Sequence, residues 1–298
     1  MKNIAESVLG RLKKESKEKG ISLQHLLNLF CQEEFIRRLS KSDYRNNLIL
    51  KGGFFLYSIS GFTARPTIDA DYLLKNHPND LNTIEKLVNK VISVSTDNEF
   101  IEIQIRDLEP ISELKEYNGV RVNLVGTIGR TRTPFSVDFG VGDVIIPSAI
   151  DRTLPVLLQD FEMPNILTYS LESTVAEKID AIISLMEITS RMKDFYDIYF
   201  IASMFDFEGR KLQEAIYETL SNRGRPFEKN SIVDILRLVE NPQIQSRWRN
   251  FCKKILRYEL DFQKVAELIL EFISPPYDAM IKEDEFFKDW DSRTRKYI

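Results

Sequence analysis

Between Ile101 and Phe139 the apolar residues alternate with polar ones. Ile101, Ile103 and Ile105 form one such run, Val120, Val122 and Leu124 a second, and Phe135, Val137 and Phe139 a third that ends at Gly140 and Gly142. A repeat of two belongs to half-buried strands, whose successive side chains point to opposite faces. Residues 68–74 read as a further strand, so residues 46–147 carry at least four strands.

Helical signals surround these strands. Residues 1–45 read as helical, with Leu23, Leu26, Leu27, Phe30, Phe35 and Leu39 at a spacing close to 3.6. Phe54 to Ser60 suggests a short helix stopped by Gly61, and Asn79 or Asp80 caps another whose apolar face is Leu81, Ile84, Leu87, Val88 and Val91. After Pro147 the strand signals fade. Ser170 and Glu172 open a helix with Val175, Ile179, Ile182, Ile183 and Met186 on one face; 194–204, 211–220, 231–239 and 251–273 follow as helices. The expected fold class is α+β, with the mixed part in residues 1–159 and a helical domain in 160–298.

Several chemistries lack their residues. The two cysteines, Cys31 and Cys252, are far apart, and the only histidines are His25 and His77. Zinc centres, redox pairs and histidine-based triads are therefore poorly supplied. No apolar run reaches the ~20 residues that cross a bilayer, and no secretory segment opens the chain. The expectation is a cytoplasmic protein without a membrane partner. The net charge of −4 argues against a general nucleic-acid coat, though a local basic patch is compatible with it.

Carboxylates remain. Asp69 and Asp71 are two residues apart on the expected strand, so they project to one face. Neighbouring carboxylates repel unless a cation lies between them, and oxygen donors favour Mg²⁺ or Mn²⁺. Asp138 points away from Val137 and Phe139 on its own strand, and converges with the pair if the two strands are neighbours. Gly52-Gly53 lets a backbone approach a phosphate. Each piece has a plainer reading: Asp-x-Asp as a solvated edge, Gly-Gly as a turn. The order of the three is what points to phosphoryl transfer.

In that order the sequence resembles the AbiEii/AbiGii abortive-infection nucleotidyltransferase toxins, whose superfamily shares a fold with DNA polymerase beta. The resemblance rests on Lys51-Gly52-Gly53, on Arg65-Pro66-Thr67-Ile68-Asp69-Ala70-Asp71, and on Ala176-Glu177-Lys178 followed by Ser190 through Ile198. It covers about residues 46–205 and implies a polymerase-beta-like core plus a C-terminal helical domain. By resemblance, Lys51, Gly52, Gly53, Arg65 and Thr67 bind the NTP. Asp69 and Asp71 hold Mg²⁺ (Mn²⁺ as an alternative), with Asp138 as third carboxylate. Lys178 reaches the triphosphate, and Asp194 completes a second signature. The residues alone allow other roles. Lys178 lies off the apolar stripe and is equally a solvated lysine; Lys193 and Asp197 suit an i, i+4 pair; Arg65 suits phosphate or a pairing with Asp194 or Asp197.

The implied activity is transfer of a nucleoside monophosphate from an NTP to an RNA acceptor, with tRNA the acceptor the family suggests. The protein would be a toxin with a cognate antitoxin as partner. Transfer to a protein or small-molecule hydroxyl, or a non-catalytic nucleotide-binding scaffold, are the alternatives. Arg223, Arg225, Arg247, Arg249, Lys253, Lys254 and Arg257, with Trp248 between two arginines, form a possible RNA surface; the plainer reading is a solvated charge run with Trp248 in the core or an interface.

Overall fold

The computed structural model describes residues 2–113, 117–185, 191–228 and 231–298. Two compact units emerge. The first comprises 1–63, 67–142 and 150–168; the second comprises 64–66, 143–149 and 169–298.

In the first unit, the helical N-terminal stretch is two helices, α1 (Lys2–Lys19) and α2 (Leu23–Ser40). They part at Gly20, which has φ +66°, and Ser22 caps α2 by accepting the His25 N–H. There follow β1 (Leu48–Lys51), α3 (Gly52–Ile59), β2 (Ala70–Leu74), α4 (Leu81–Ile92), β3 (Ile101–Glu113), β4 (Tyr117–Ile128), β5 (Thr131–Gly140), β6 (Ile150–Thr153) and β7 (Asn165–Thr168). Asp80, not Asn79, caps α4 by accepting the Thr83 N–H at 2.9 Å. Leu81 is exposed in that first turn, while Ile84, Leu87, Val88 and Val91 are buried.

The seven strands form one sheet in the order β3-β4-β5-β2-β1-β7-β6. It is mixed: β2 runs parallel to β5 and β1 parallel to β7, and the other neighbours are antiparallel. The alternating residues turn one face to the core. Tyr72 stacks on Phe139 and meets Phe35 of α2, with both ring pairs 5.9 Å apart. Val120, Val122, Leu124 and Val137 are buried on the same alternation.

Helix α2 also carries buried charge. Glu33 and Glu34 pair with Arg37 at 3.0 and 3.1 Å, and Glu34 pairs with Arg38 at 3.0 Å. These arginines donate onward to the Glu162, Ile92 and Ile101 carbonyls. The helix thus ties chain segments distant in sequence to one another, because buried ions need every hydrogen bond met.

The second unit comprises α5 (Leu171–Leu185), α6 (Met192–Met204), β8 (Phe207–Glu208), α7 (Gly209–Asn222), α8 (Ile235–Glu240), α9 (Pro242–Phe251), α10 (Phe262–Ile281), β9 (Asp289–Asp291) and β10 (Lys296–Tyr297). Val175, Ile179 and Ile182 are buried, Ile183 is half-buried, and Met186 and Ser190 lie outside the described residues. The helix expected over 251–273 is broken. A π turn at Cys252–Leu256 ends at Arg257 in the left-handed region, and Asp261 caps a new helix. A three-stranded sheet, β10-β9-β8, adds to the helices. Its Trp290 is fully buried against Phe272 and donates to the Ala202 carbonyl at 2.8 Å.

Burial pushes the Glu33 carboxyl up to about 7, against the pull of Arg37 and the Leu157 N–H. Its folded pKa then lies above the ordinary value of 4.5. The folded state holds that proton more tightly, so the stability it contributes is present below about pH 4.5 and is lost as pH rises through about 7. Glu33→Gln is expected to flatten this decline. Urea denaturation midpoints between pH 5 and 8 measure it; a decline of unchanged steepness would assign it to other groups.

Candidate active site

Strand β1 leads directly into α3 at Gly52. Its φ is +70°, and a Cβ there would stand 2.1 Å from Asp71 Oδ2. Only glycine allows both this backbone conformation and a carboxylate so close. The helix begins two residues earlier than the apolar pattern suggests, so Gly52 and Gly53 form its first turn.

Asp69 lies just before β2, and Asp71 within it. Strand register extends Asp71 into a row of charges. Glu109 of β3 lies opposite Arg121 of β4, Arg121 opposite Asp138 of β5, Asp138 beside Asp71, and Asp71 opposite Lys51 of β1. Opposed residues share a face, so two aspartates stand at the centre of the row with a cation on each side. A second polar row lies one pleat along. Ser136 donates to Asp69 Oδ1 at 2.7 Å, and Asn123, opposite Ser136, donates to Asp107 at 2.5 Å. Thr67 Oγ1 sits 3.4 Å from the Asp69 carbonyl.

Two residues were missed by motif reasoning. Arg121 grips Asp138 with both prongs of its guanidinium, at 2.8 and 2.7 Å, and its Nη2 lies 3.9 Å from Asp69 Oδ2. The hydrogen bond to Asp138 raises the pKa of Arg121 above its already high ordinary value. Its sequence signal is weak: a charged residue between Val120 and Val122, on the polar side of the alternation. The second is buried Gln32 of α2, which donates to the Ser136 carbonyl at 2.8 Å and the Ile68 carbonyl at 3.2 Å. It holds the residue before Asp69 against β5.

Asp69 and Asp71 provide hard oxygen donors suited to one divalent cation that completes its shell with water and phosphate. Asp138 is different, because both its oxygens accept from Arg121. Among the described residues, no group of three His, Cys, Asp or Glu gathers in a metal-holding arrangement.

The other signature residues form a cluster inside the second unit. Lys178 was expected to be exposed, but it is buried, because α6 supplies its partners: Asp194 at 3.1 Å and Asp197 at 2.6 Å. Arg65 makes a two-pronged pair with Asp197 at 2.7 and 2.8 Å, and Arg191 bonds Asp194 at 2.6 Å. Asp197 is therefore held by Arg65 and Lys178, and Lys193 is exposed. Burial pushes the Lys178 ammonium down, but Asp197 and Asp194 outweigh it and leave its pKa raised. For Asp194, burial pushes up, and Lys178, Arg191 and Lys193 together bring it below the ordinary carboxylate value.

The expected basic surface is smaller than its sequence. Trp248 is buried, stacked 4.8 Å from Phe262, with Nε1 donating to the Leu260 carbonyl. It is a core residue because α10 covers it. Arg223 bonds Asp180 and Asp143, and Arg225 bonds Asp180. Arg249, Lys253, Lys254 and Arg257 are exposed.

The sequence matches the family described as nucleotidyl transferase AbiEii toxin, type IV toxin–antitoxin system, over residues 34–280. The chain belongs to this family. It is a nucleotidyltransferase of a toxin family, and the family implies an NTP substrate and an antitoxin partner. Among solved structures it is similar to MenT4, a nucleotidyltransferase toxin of Mycobacterium tuberculosis H37Rv, with TM-score 0.57 and 14% identity. That likeness covers 93% of this chain and 99% of MenT4. A candidate nucleotidyltransferase from H. pylori is also similar, with TM-score 0.51 and 14% identity over 89% of this chain and 100% of that one. At this identity the two structures speak for the fold. No curated protein matches the chain. Among the described residues no helix is long and apolar enough to cross a membrane.

Two outcomes are expected. Gly52→Ala should cost about 1–3 kcal/mol from its backbone strain alone, with more from the clash at Asp71; chemical denaturation measures it. Lys178→Met leaves two buried carboxylates with one arginine partner each. It should lose about 3 kcal/mol, near the low end for breaking a buried pair, while Lys178→Arg loses less. Equal stability of Lys178→Met and the parent would remove the structural role of that lysine.

Proposed function

We propose that the chain transfers a nucleoside monophosphate from an NTP to a hydroxyl of an RNA acceptor, tRNA in the first instance. The observation that carries this is the register of β2 against β5. It sets Asp71 beside Asp138, with Asp69 bonded to Ser136 next to them. In the proposed reaction, the acceptor oxygen bonds to the α-phosphorus and the bond from that phosphorus to the β-bridging oxygen breaks. Pyrophosphate leaves, and the hydroxyl proton passes to solvent. Asp69 and Asp71 would hold Mg²⁺ or Mn²⁺; such an ion neutralises charge on the phosphate oxygens and orients them.

The chain's own residues do the rest. The Gly52-Gly53 turn opens α3 with N–H groups suited to phosphate oxygens, and Lys51 and Thr67 border the same carboxylates. Lys178, Arg65 and Asp194 enter the proposal through the family signature, as the charge cluster of the helical unit. The exposed Arg249, Lys253, Lys254 and Arg257 are suited to an RNA backbone. The family's toxin character supports an acceptor whose modification stops growth.

A labelling assay tests the proposal. The protein is incubated with Mg²⁺, each α-labelled NTP in turn, total RNA and soluble protein. Label is expected in a tRNA-sized band and is expected to disappear in Asp69→Asn, by at least about a hundredfold for a lost phosphate-neutralising ligand. Label in protein or in a small molecule would replace the RNA acceptor. Full labelling by Asp69→Asn would remove the metal site.

A further inference from the structure

Arg121 sits where a metal-dependent transferase would be expected to leave room. One nitrogen, Nη2, is 2.7 Å from Asp138 Oδ2 and 3.9 Å from Asp69 Oδ2. Its positive charge thus lies between two of the three carboxylates. We infer that Arg121 replaces a second metal ion, so that the site holds one divalent cation, at Asp69 and Asp71, with Asp138 as the counter-ion of the arginine. This inference rests on the metal-dependent reading of the site proposed above.

Three features support it. First, the arginine is held in place by the sheet itself. It lies directly opposite Asp138 in the β4–β5 ladder and opposite Glu109 in the β3–β4 ladder, so acidic neighbours flank it on both sides. Second, the pairing is two-pronged and engages both oxygens of Asp138, whose side chain is only 14% exposed. A planar guanidinium matches a carboxylate in this way, and it does not lose its proton to admit an ion. Third, charge is already met on this flank. Lys51 and Arg121 bracket Asp71 and Asp138 in the row. A second divalent ion beside Asp138 would face a fixed cation within hydrogen-bond distance of its own ligand, whereas Asp69, with its side chain 45% exposed, keeps room for a hydrated ion.

A fixed arginine differs from a second ion in one respect that can be counted. The number of bound ions should be one, and should change with the charge at position 121. The experiment is titration of the full chain with Mn²⁺ alone, reading free ion by electron paramagnetic resonance. The parent is expected to bind one Mn²⁺, Arg121→Gln two, and Arg121→Lys, which keeps the charge, one. Two ions on the parent, none on it, or a single ion on Arg121→Gln would overturn the inference. If Arg121→Gln does not fold by thermal melting, Asp138→Asn decides. It should still hold one ion, and its loss would make Asp138 a ligand and the inference wrong. Asp69→Asn and Asp71→Asn separate this inference from the wider reading. Two ions on the parent that are lost in both variants would sink only the role of Arg121. A single ion untouched by either variant would sink the metal site itself.

Discussion

The parallel pairing of β2 with β5 is the constraint on which the candidate site depends. It places Asp71 and Asp138 side by side at the centre of a seven-stranded sheet, a costly arrangement for two carboxylates. The sheet answers the cost locally. Arg121 and Lys51 flank the pair from the next strands, and Ser136 donates to the nearby Asp69. The opposite face of the same strands is apolar and sealed by α2, so register cannot slip by one residue without turning Tyr72, Val137 and Phe139 outward. The hydrophobic pattern and the charge row therefore specify each other.

Helix α2 is the second support. Its apolar side packs on the sheet through Phe35, while Gln32 reaches the carbonyls of Ile68 and Ser136. Its Arg37 and Arg38 donate to the carbonyls of Glu162, Ile92 and Ile101, while Glu33 accepts from the Leu157 N–H and Glu34 from Thr96 and Asn98. A buried network of this kind is poor evidence of net stability. It does tie α2 to the end of α4 and the start of β3.

In the helical unit, the signature residues Lys178, Asp194 and Asp197 satisfy one another and draw in Arg65 and Arg191. Burial and pairing oppose each other for both the lysine and Asp194, and pairing wins in both. Whatever part these residues take in transfer, they are also the internal electrostatics of α5 and α6. A loss of activity in any of them therefore has to be read beside a measurement of folding.

Sequence alone determined the strands of the core and the carboxylates on their polar side. A period of two settles which residues turn inward, and an Asp two residues from another must share its face. The glycines, the Asp-x-Asp and the later lysine signature sufficed to place the chain in its family. Tertiary structure decided what those local rules do not reach. Strand order set Asp138 beside Asp71, and a third strand brought Arg121 onto both Asp138 and Asp69. Helix packing decided that Trp248 is a core residue rather than part of a basic surface, and turned Lys178 inward to two aspartates. The Trp290 sheet and the break at Arg257 likewise depend on contacts with distant residues and on a single left-handed backbone position. Periodicity reports only which side of an element is apolar, whereas partners across strands and helices are fixed by pairing that no local window contains.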